Sequence, residues 1–317
     1  MSPGRKKIHT IACFVLMLGP VHAGQFGETR IGFELLQLER ETDQNITYVW
    51  DNGGTVNAHA DDTPVGRTGA FDDAAGMGYR LSAARKMTPR WSLQAAYMTG
   101  GELSESQSFS DPSSQLEIFW GGGTDEFDAA DIVQASYTSE LDGFELNLVY
   151  AVSDRIDIFG GIGRLNLDEK FRLVSDDLGT VGVGRYNINT TNELLGPQLG
   201  GNLNYPATEK MGIYLLAKIG WYDNNTKQRQ TVSDPVPAVS RDVKVSDNTS
   251  ATTLEIRLGG TYEFHQNLRM NLGYQYYKIT DVALAESQFD VETGGTTLSN
   301  DDEITWQGLN LGINYFF

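Results

Sequence analysis

Apolar side chains recur at every second residue in run after run of this chain, and no other feature constrains the fold as strongly. In the clearest run one face carries Met211, Ile213, Leu215, Ala217, Ile219 and Trp221. The opposite face carries Gly212, Tyr214, Lys218, Gly220 and Tyr222. A repeat of two is the period of a β-strand, whereas an amphipathic helix repeats every 3.6 residues. The sequence therefore predicts an all-β protein.

The connections between these runs alternate in length. Short connections lie at Lys86–Pro89, Ser153–Arg155, Pro206–Glu209 and His265–Asn267. Long polar connections span about 41–74, 101–138, 170–190, 224–249 and 281–302. Outer-membrane barrels join their strands by short periplasmic turns and long extracellular loops. We therefore predict a closed antiparallel transmembrane β-barrel of about ten strands. Eight strands is one alternative, and twelve is another if the segments 46–50 and 116–120 insert.

Two of the runs lose their period. The first slips at Leu36 and the second slips near Gly163. Glycine kinks or β-bulges are the predicted cause, because a bulge moves every following side chain to the opposite face. Aromatic residues near the run ends are predicted to form girdles at the two membrane interfaces. They are Trp91, Tyr150, Tyr205, Tyr262 and Phe264 on the turn side, and Trp221, Tyr276 and Trp306 on the loop side.

The N-terminus has the features of an export signal. Arg5, Lys6 and Lys7 precede a short apolar run, which ends at Val21-His22-Ala23. A basic start, a short apolar stretch and small residues before the cut are typical of a secretory signal peptide. We therefore predict a signal peptide over residues 1–23 and one barrel domain over residues 24–317, located in the cell outer membrane. No membrane anchor is expected, because the apolar run is too short to span a bilayer.

The last strand ends in an aromatic ladder. Its members at spacing two are Leu309, Leu311, Ile313, Tyr315 and Phe317. This pattern resembles the C-terminal signal that the barrel assembly machinery recognises in outer-membrane barrels. An unpaired strand edge with alternating side chains suits recognition by strand addition. The predicted partners are therefore this machinery during biogenesis, and outer-membrane lipid and lipopolysaccharide afterwards.

Three segments carry a family resemblance. They are 141–150 with Ser153-Asp154-Arg155 and 159–169, then 191–200, then 272–276 with 281–285. Together they resemble landmarks of the Legionella-type pore-forming outer membrane proteins. The resemblance covers about residues 75–100 and 141–317, and it is patchy across the first two long loops. It implies an outer-membrane barrel that forms a pore, and it brings no catalytic residues and no cofactor.

Charged residues on the alternate positions are expected to line the lumen, because Arg or Lys facing lipid at mid-depth costs about 2–4 kcal/mol. These candidates are Arg80, Glu145, Asp157, Lys218, Glu255, Arg257 and Arg269. Two outcomes stay open at this point. The charges either line a narrow channel for small hydrophilic solutes, or they pair and fill a non-conducting structural or adhesive barrel. We take the channel as the leading hypothesis.

The net negative charge of the chain indicates which classes of partner it can bind. The chain has 42 acidic and 24 basic residues, a formal charge of −18, which excludes non-specific nucleic-acid binding because phosphates are repelled. In a channel, the acidic loops predict a weak preference for cations. Their carboxylates are Asp61, Asp62, Asp72, Asp73, Asp125, Glu126, Asp128, Asp131, Asp301, Asp302 and Glu303.

No catalytic or metal motif stands out, so neither an enzyme nor a metal or cofactor site is predicted. Outside the predicted signal peptide the histidines are His59 and His265. His59 lies near Asp61 and Asp62 and is the only weak candidate for a general base.

Overall fold

The computed structural model describes residues 29–51, 62–72, 74–113, 115–118, 127, 129–179, 182–235, 238–289 and 296–317. Thirteen strands are present in these residues. Their bounds are β1 Thr29–Thr42, β2 Thr47–Asp51, β3 Thr63–Arg67, β4 Ala75–Lys86, β5 Trp91–Ser110, β6 Leu116–Glu117, β7 Ile132–Ala151, β8 Ile156–Asp176, β9 Gly184–Pro206, β10 Met211–Pro235, β11 Ala238–His265, β12 Leu268–Val282 and β13 Asp302–Phe316. A 3₁₀ turn spans Thr68–Phe71. The predicted signal peptide lies outside the described residues.

Ten of these strands close into one antiparallel barrel, in the order β1-β13-β12-β11-β10-β9-β8-β7-β5-β4. The predicted fold class is confirmed. The barrel closes where β1 pairs with β13, with Arg30 opposite Phe316 and Thr42 opposite Ile304. Closure leaves no free edge, so each of the ten barrel strands pairs on both sides.

The twelve-stranded alternative is wrong. The segments 46–50 and 116–120 supply β2 and β6, and these form a separate three-stranded sheet with β3 in the order β3-β2-β6. Trp50 lies opposite Glu117 in this sheet. The sheet and the 3₁₀ turn lie at the loop end of the barrel, where Tyr48 and Phe71 are fully buried.

The barrel has two parts with opposite polarity. In the lower barrel, next to the short turns, outward side chains are apolar and inward ones are polar; on β1 the outward residues are Ile31, Phe33 and Leu35. In the upper barrel, toward the loops, the relation is reversed. There β1 turns Leu36, Leu38 and Arg40 inward and Gln37, Glu39 and Glu41 outward.

This inversion explains the two slips in the sequence pattern. The pairing of β1 with β13 runs without a shift past Leu36, and the pairing of β8 with β7 and β9 runs without a shift past Gly163. The predicted bulges at these places are therefore wrong. Each strand keeps its register at these places. The surroundings of the barrel change there from lipid to water, so the outward face changes from apolar to polar and the inward face does the opposite.

A bulge does occur between β5 and β7. Their register shifts between Thr99 and Gly101. Gly101 has φ +78°, and a Cβ there would collide with the carbonyl oxygen of Met77. Only glycine meets both demands, because it alone adopts this backbone conformation without steric cost.

The predicted long loops are shorter than expected. The register of β10 with β11 continues to Pro235 opposite Ala238, so most of the predicted loop 224–249 is strand. The same holds for 101–138 and 170–190, where β5 reaches Ser110 and β8 reaches Asp176. In this stretch of β10 the buried inward residues Asn224, Thr226, Gln228 and Gln230 are polar like the outward ones, so the apolar alternation that marks a strand is missing.

The aromatic girdle is present with one exception. Trp91 and Tyr150 lie opposite each other at the turn side, with ring centroids 4.8 Å apart. Trp221 is exposed at the loop side of the apolar belt. Trp306 was predicted to join it, but it is fully buried inside the barrel. Its position is an odd number of residues from the outward-facing Leu309, so the strand period places it on the inner face.

Candidate functional site

The interior of the lower barrel holds a layer of paired charges, which we call the charge layer: Glu34, Arg80, Glu145, Lys218, Glu255 and Arg257. Arg80 contacts Glu34 at 3.1 Å and Glu255 at 2.8 Å. Lys218 contacts Glu145 at 2.6 Å and Glu255 at 2.7 Å. Three cations therefore balance three anions within one level of the barrel.

These ion pairs cross the barrel. Arg80 is on β4 and Glu255 on β11, and three strands separate them in the barrel order. Arg257 completes the network at 3.4 Å from Glu34 and 3.1 Å from Glu255. Buried charges are stable only when paired and hydrogen-bonded, so the network holds these side chains across the passage.

Neutral polar side chains complete the charge layer. Gln198 Nε2 donates to Glu145 at 2.8 Å and to Asn147 at 2.7 Å. Asn271 Nδ2 donates to Glu34 at 3.1 Å. On the side of the apolar layer, Arg80, Glu145, Gln198, Lys218 and Glu255 border a cavity of about 20 Å³. That is room for about one water molecule.

Below the charge layer a vestibule opens toward the turns. It has a volume of about 520 Å³ and polar walls. Asp157 and Arg269 line it together with Arg30. The Arg269 guanidinium lies 5.2 Å from the centre of the Phe316 ring, a distance typical of a cation–π contact.

Directly above the charge layer the interior of the barrel contains an apolar layer. Buried leucines from β1, β5, β7, β8 and β9 pack there against Tyr277 and Trp306; they are Leu36, Leu38, Leu103, Leu141, Leu165, Leu167 and Leu194. These side chains pack against one another as one buried apolar cluster, as in a protein interior.

The connection between β12 and β13 begins inside the upper barrel. Residues 282–289, which we call the plug segment, are buried except for the half-buried Ser287. Asn192 on β9 bonds the backbone of Ala283 twice, donating to its oxygen at 2.8 Å and accepting from its nitrogen at 3.0 Å. Gln230 Nε2 on β10 donates to the Gln288 oxygen at 2.7 Å. The sequence predicts an extracellular loop over 281–302, and for the plug segment this prediction is wrong.

One guanidinium fastens the plug segment to β1. Arg40 is fully buried and lies 2.6 Å from Glu286 and 3.6 Å from Glu169. Its carbon Cζ lies 4.3 Å from the centre of the Tyr137 ring. Glu169 accepts from Ser139 Oγ and from the Ala285 nitrogen, both at 2.9 Å. We call Arg40, Glu169 and Glu286 the latch.

The latch carries more carboxylates than cations, and burial adds to the imbalance. Burial raises the pKa of Glu286 to about 7, although Arg40 opposes the shift. Burial also raises the pKa of Asp302, at the start of β13, to about 6. Asp302 accepts from the Leu284 nitrogen at 3.1 Å, so it too holds the plug segment.

An aromatic cluster covers the plug segment at the loop end. Tyr48, Phe71 and Phe171 are fully buried, with Tyr48 5.3 Å from Phe171 and 5.9 Å from Phe71 between ring centres. Phe289 at the end of the plug segment packs edge-on against Tyr186 at 5.3 Å. The top of the barrel is thus packed like a protein core.

The sequence-predicted lumen residues occupy two levels. Arg80, Glu145, Lys218, Glu255 and Arg257 meet in the charge layer, whereas Asp157 and Arg269 lie in the vestibule. Sequence reasoning missed Glu34, Arg30 and the latch. On β1 the strand period alone gives the first two and Arg40, since residues 30, 34 and 40 share one face.

The C-terminal ladder lies on the outer surface. Leu309, Leu311, Ile313, Tyr315 and Phe317 are all exposed in the apolar belt, and β13 pairs with both β1 and β12. Their role as an assembly signal stays a prediction. His265 ends β11 at a short turn, and His59 lies outside the described residues.

Within the described ranges no group of three His, Cys, Asp or Glu side chains is arranged to hold a metal ion. Within the same ranges, no helix has the length and apolar character to cross a membrane.

Comparison with known proteins places this barrel in a family. A sequence profile described as Legionella pneumophila major outer membrane protein precursor matches residues 25–317. The chain belongs to this family. As a Legionella-type major outer membrane protein with a closed barrel, it is a protein of the cell outer membrane. No curated protein sequence matches it.

Solved structures similar to this family member are barrels of diverse activity. The outer membrane protease OmpT from Escherichia coli is 11% identical, with a TM-score of 0.46 over 95% of this chain and 99% of that one. The toluene transporter TbuX from Ralstonia pickettii is 10% identical, with a TM-score of 0.40 over 92% and 89%. The attachment protein Ail from Yersinia pestis is 10% identical, with a TM-score of 0.31 over 92% and 100%. Likeness at this level carries no activity over to this chain.

Proposed function

We propose that this protein is a closed structural barrel of the outer membrane, which carries a rigid, packed platform beyond the lipid surface. The observation that supports it most is the ion pairing across the lower barrel, where Arg80 joins β4 to Glu255 on β11 at 2.8 Å. The apolar layer, the plug segment and the aromatic cluster add three further obstructions above it. Solutes then have no continuous water path.

The upper barrel forms the proposed platform. Its strands run far beyond the apolar belt, and β10 and β11 span 25 and 28 residues. A strand needs about 9–11 residues to cross a bilayer, so more than half of these two strands lies outside the hydrocarbon. The upper barrel has a polar outer face and a packed interior. A rigid, water-exposed surface of this kind is suitable for contact with other molecules.

Solute uptake by vesicles tests this proposal. Proteoliposomes of the refolded chain are placed in isosmotic arabinose or glycine, and swelling is followed by light scattering. We expect the swelling rate to match that of protein-free vesicles. Rapid swelling, close to that of vesicles with a general porin, would show an open lumen and defeat the proposal.

The narrow channel predicted from sequence remains the second candidate. One observation favours it. The vestibule of about 520 Å³ is polar, and long charged side chains of the charge layer, rather than backbone, close its inner end. Passage would require these side chains and the plug segment to move. The expected cation preference has weaker support, because Asp72 lies 3.7 Å from Arg40 and Asp131 is buried. Asp61, Asp73, Asp125, Glu126 and Asp128 lie outside the described residues.

The substitution Asn192→Ala separates the two candidates. It removes both bonds from β9 to Ala283 and loosens the plug segment. In a channel gated by this segment the substitution increases swelling, whereas in a closed barrel the charge layer still blocks passage. Asn187→Ala is the matched control, because Asn187 lies on the outer face of the same strand, where its Nδ2 donates to Thr231 Oγ1 on β10.

A further inference from the structure

The vestibule contains arginines that lie outside the ion-pair network of the charge layer. Among the described residues, no carboxylate oxygen lies within 4.0 Å of the guanidinium of Arg30 or of Arg269. Both side chains line the vestibule. Elsewhere in the lower barrel, Arg80 and Arg257 each have two carboxylate partners. Arg30 and Arg269 are therefore cations of the vestibule that stand outside this ion-pair network.

The barrel register places these two arginines two strands apart at the turn end of the barrel. Arg30 on β1 lies opposite Phe316 on β13, and Arg269 on β12 lies opposite Asn314 on the same strand. One strand separates them, and Phe316 stands between. Arg257 and Arg269 both act on Arg30 as like charges, and the carboxylates that act on it in return are Glu34 and Asp157.

The vestibule as a whole is more basic than the protein. Six cationic side chains line it, Arg30, Arg80, Lys86, Arg90, Arg257 and Arg269, against four carboxylates, Glu34, Glu145, Asp154 and Asp157. The complete chain has a formal charge of −18. Guanidinium groups bind phosphate and carboxylate oxygens in a bidentate manner, and they do so more strongly in a cleft of low dielectric constant.

We propose that the vestibule binds an oxyanion, the phosphate or carboxylate group of a periplasmic solute, between Arg30 and Arg269. The anion relieves the repulsion between the two guanidiniums, and Asn314 and Ser82 on the vestibule wall offer polar contacts beside them. A volume of about 520 Å³ admits a small metabolite that carries such a group. Binding requires access from the turn side and no passage through the barrel, so it is independent of the function proposed above.

Calorimetric titration of the refolded full-length chain in detergent tests this site. The probes are inorganic phosphate and succinate at constant ionic strength, and sodium chloride is the reference for general screening. We expect saturable binding of at least one probe. Whichever probe binds more tightly identifies the group that the site prefers.

Variants locate the binding. Arg30→Gln and Arg269→Gln each remove one charged donor and are expected to weaken binding about tenfold or more, since a hydrogen bond to a charged group contributes about 1.5–3 kcal/mol. Arg172→Gln is the matched control, because Arg172 is exposed on the outer face of β8 and is expected to leave binding unchanged. Heat-modifiable gel mobility verifies that each variant is folded.

Three results would overturn the site. The first is that neither probe shows saturable binding, and the second is that the probes bind no more strongly than chloride. The third is that the folded Arg30→Gln and Arg269→Gln variants bind the probes as tightly as the wild-type chain. A folded double variant that loses binding while Arg172→Gln keeps it supports the assignment.

Discussion

Arg40 on β1 and Glu286 in the plug segment form a fully buried ion pair of 2.6 Å, between residues 246 positions apart in the chain. It joins the first strand of the barrel to the connection before the last. Glu169 on β8 approaches the same guanidinium at 3.6 Å. One side chain therefore holds the plug segment against two walls of the upper barrel.

Replacing Arg40 by Met should destabilise the upper barrel strongly. The substitution leaves Glu169 and Glu286 buried without a cation, and breaking a buried pair in this way costs about 3–5 kcal/mol. Urea unfolding of the protein in vesicles measures the loss. Arg172→Met, on the outer face of β8, is the control and should change stability by less than about 0.5 kcal/mol. Equal stability of the two variants would mean that the latch does not contribute to the free energy of unfolding.

The plug segment should become less stable as the pH rises from about 4.5 to about 7. The pKa of Glu286 is raised to about 7 in the folded protein, above its ordinary value of 4.5. The folded state therefore keeps a proton that the unfolded segment releases, so stability is complete below pH 4.5 and falls through pH 7. Asp302, with its pKa raised to about 6, acts in the same direction.

Hydrogen exchange of the amides of residues 283–289 measures this effect. After correction for the intrinsic pH dependence of exchange, protection should fall between pH 5 and pH 8 by on the order of 2 kcal/mol. In Glu286→Gln the fall should be much smaller, because Asp302 alone then titrates. Protection that increases with pH would contradict the predicted loss of stability of the plug segment at higher pH.

The apolar belt predicts that an arginine on the outward face of β1 destabilises the folded barrel by an amount that depends on its position along the strand. Leu35→Arg places a cation against lipid and should cost about 2–4 kcal/mol. Glu39→Arg, four residues further along the same outward face, lies in the upper barrel in water and should cost less than about 1 kcal/mol. Folding free energies into vesicles measure both changes. Similar costs would move the membrane boundary away from Leu36.

The upper barrel should respond to core substitutions like a soluble protein. Phe171→Ala removes a fully buried ring that contacts Tyr48, Phe71 and Phe289, and should cost about 3–5 kcal/mol. Phe264→Ala, at an exposed ring of the lower girdle, should cost much less. Near-ultraviolet circular dichroism during thermal unfolding follows both variants. A small effect at Phe171 would argue against a packed interior.

The lower barrel could be predicted from sequence because lipid selects one face of every strand. The alternation along β10 from Met211 to Trp221, and the short turns between strands, gave the strand number and the closed topology. The same signal assigned Lys218 and Glu255 to the interior, since a charge on the lipid face is costly. Their pairing depends on strands distant in the sequence, which periodicity does not specify.

The upper barrel was harder to predict because its faces are inverted. Leu36 and Leu38 continue the strand, yet they lie on the face opposite Leu35, so the pattern is indistinguishable from a register slip. The length and polarity of the connection 281–302 predict an outside loop, although Val282, Ala283, Leu284 and Ala285 form an apolar run. A run of this kind within a polar connection indicates burial, and here it lies inside the barrel.

Planar-bilayer recording of the refolded wild-type chain tests the central claim most directly. With charges paired across the lower barrel and the upper barrel packed, we expect no steady conductance above that of the bare membrane in concentrated potassium chloride. Reproducible ohmic steps from the folded protein would contradict a sealed lumen and restore the narrow channel as the function of this barrel.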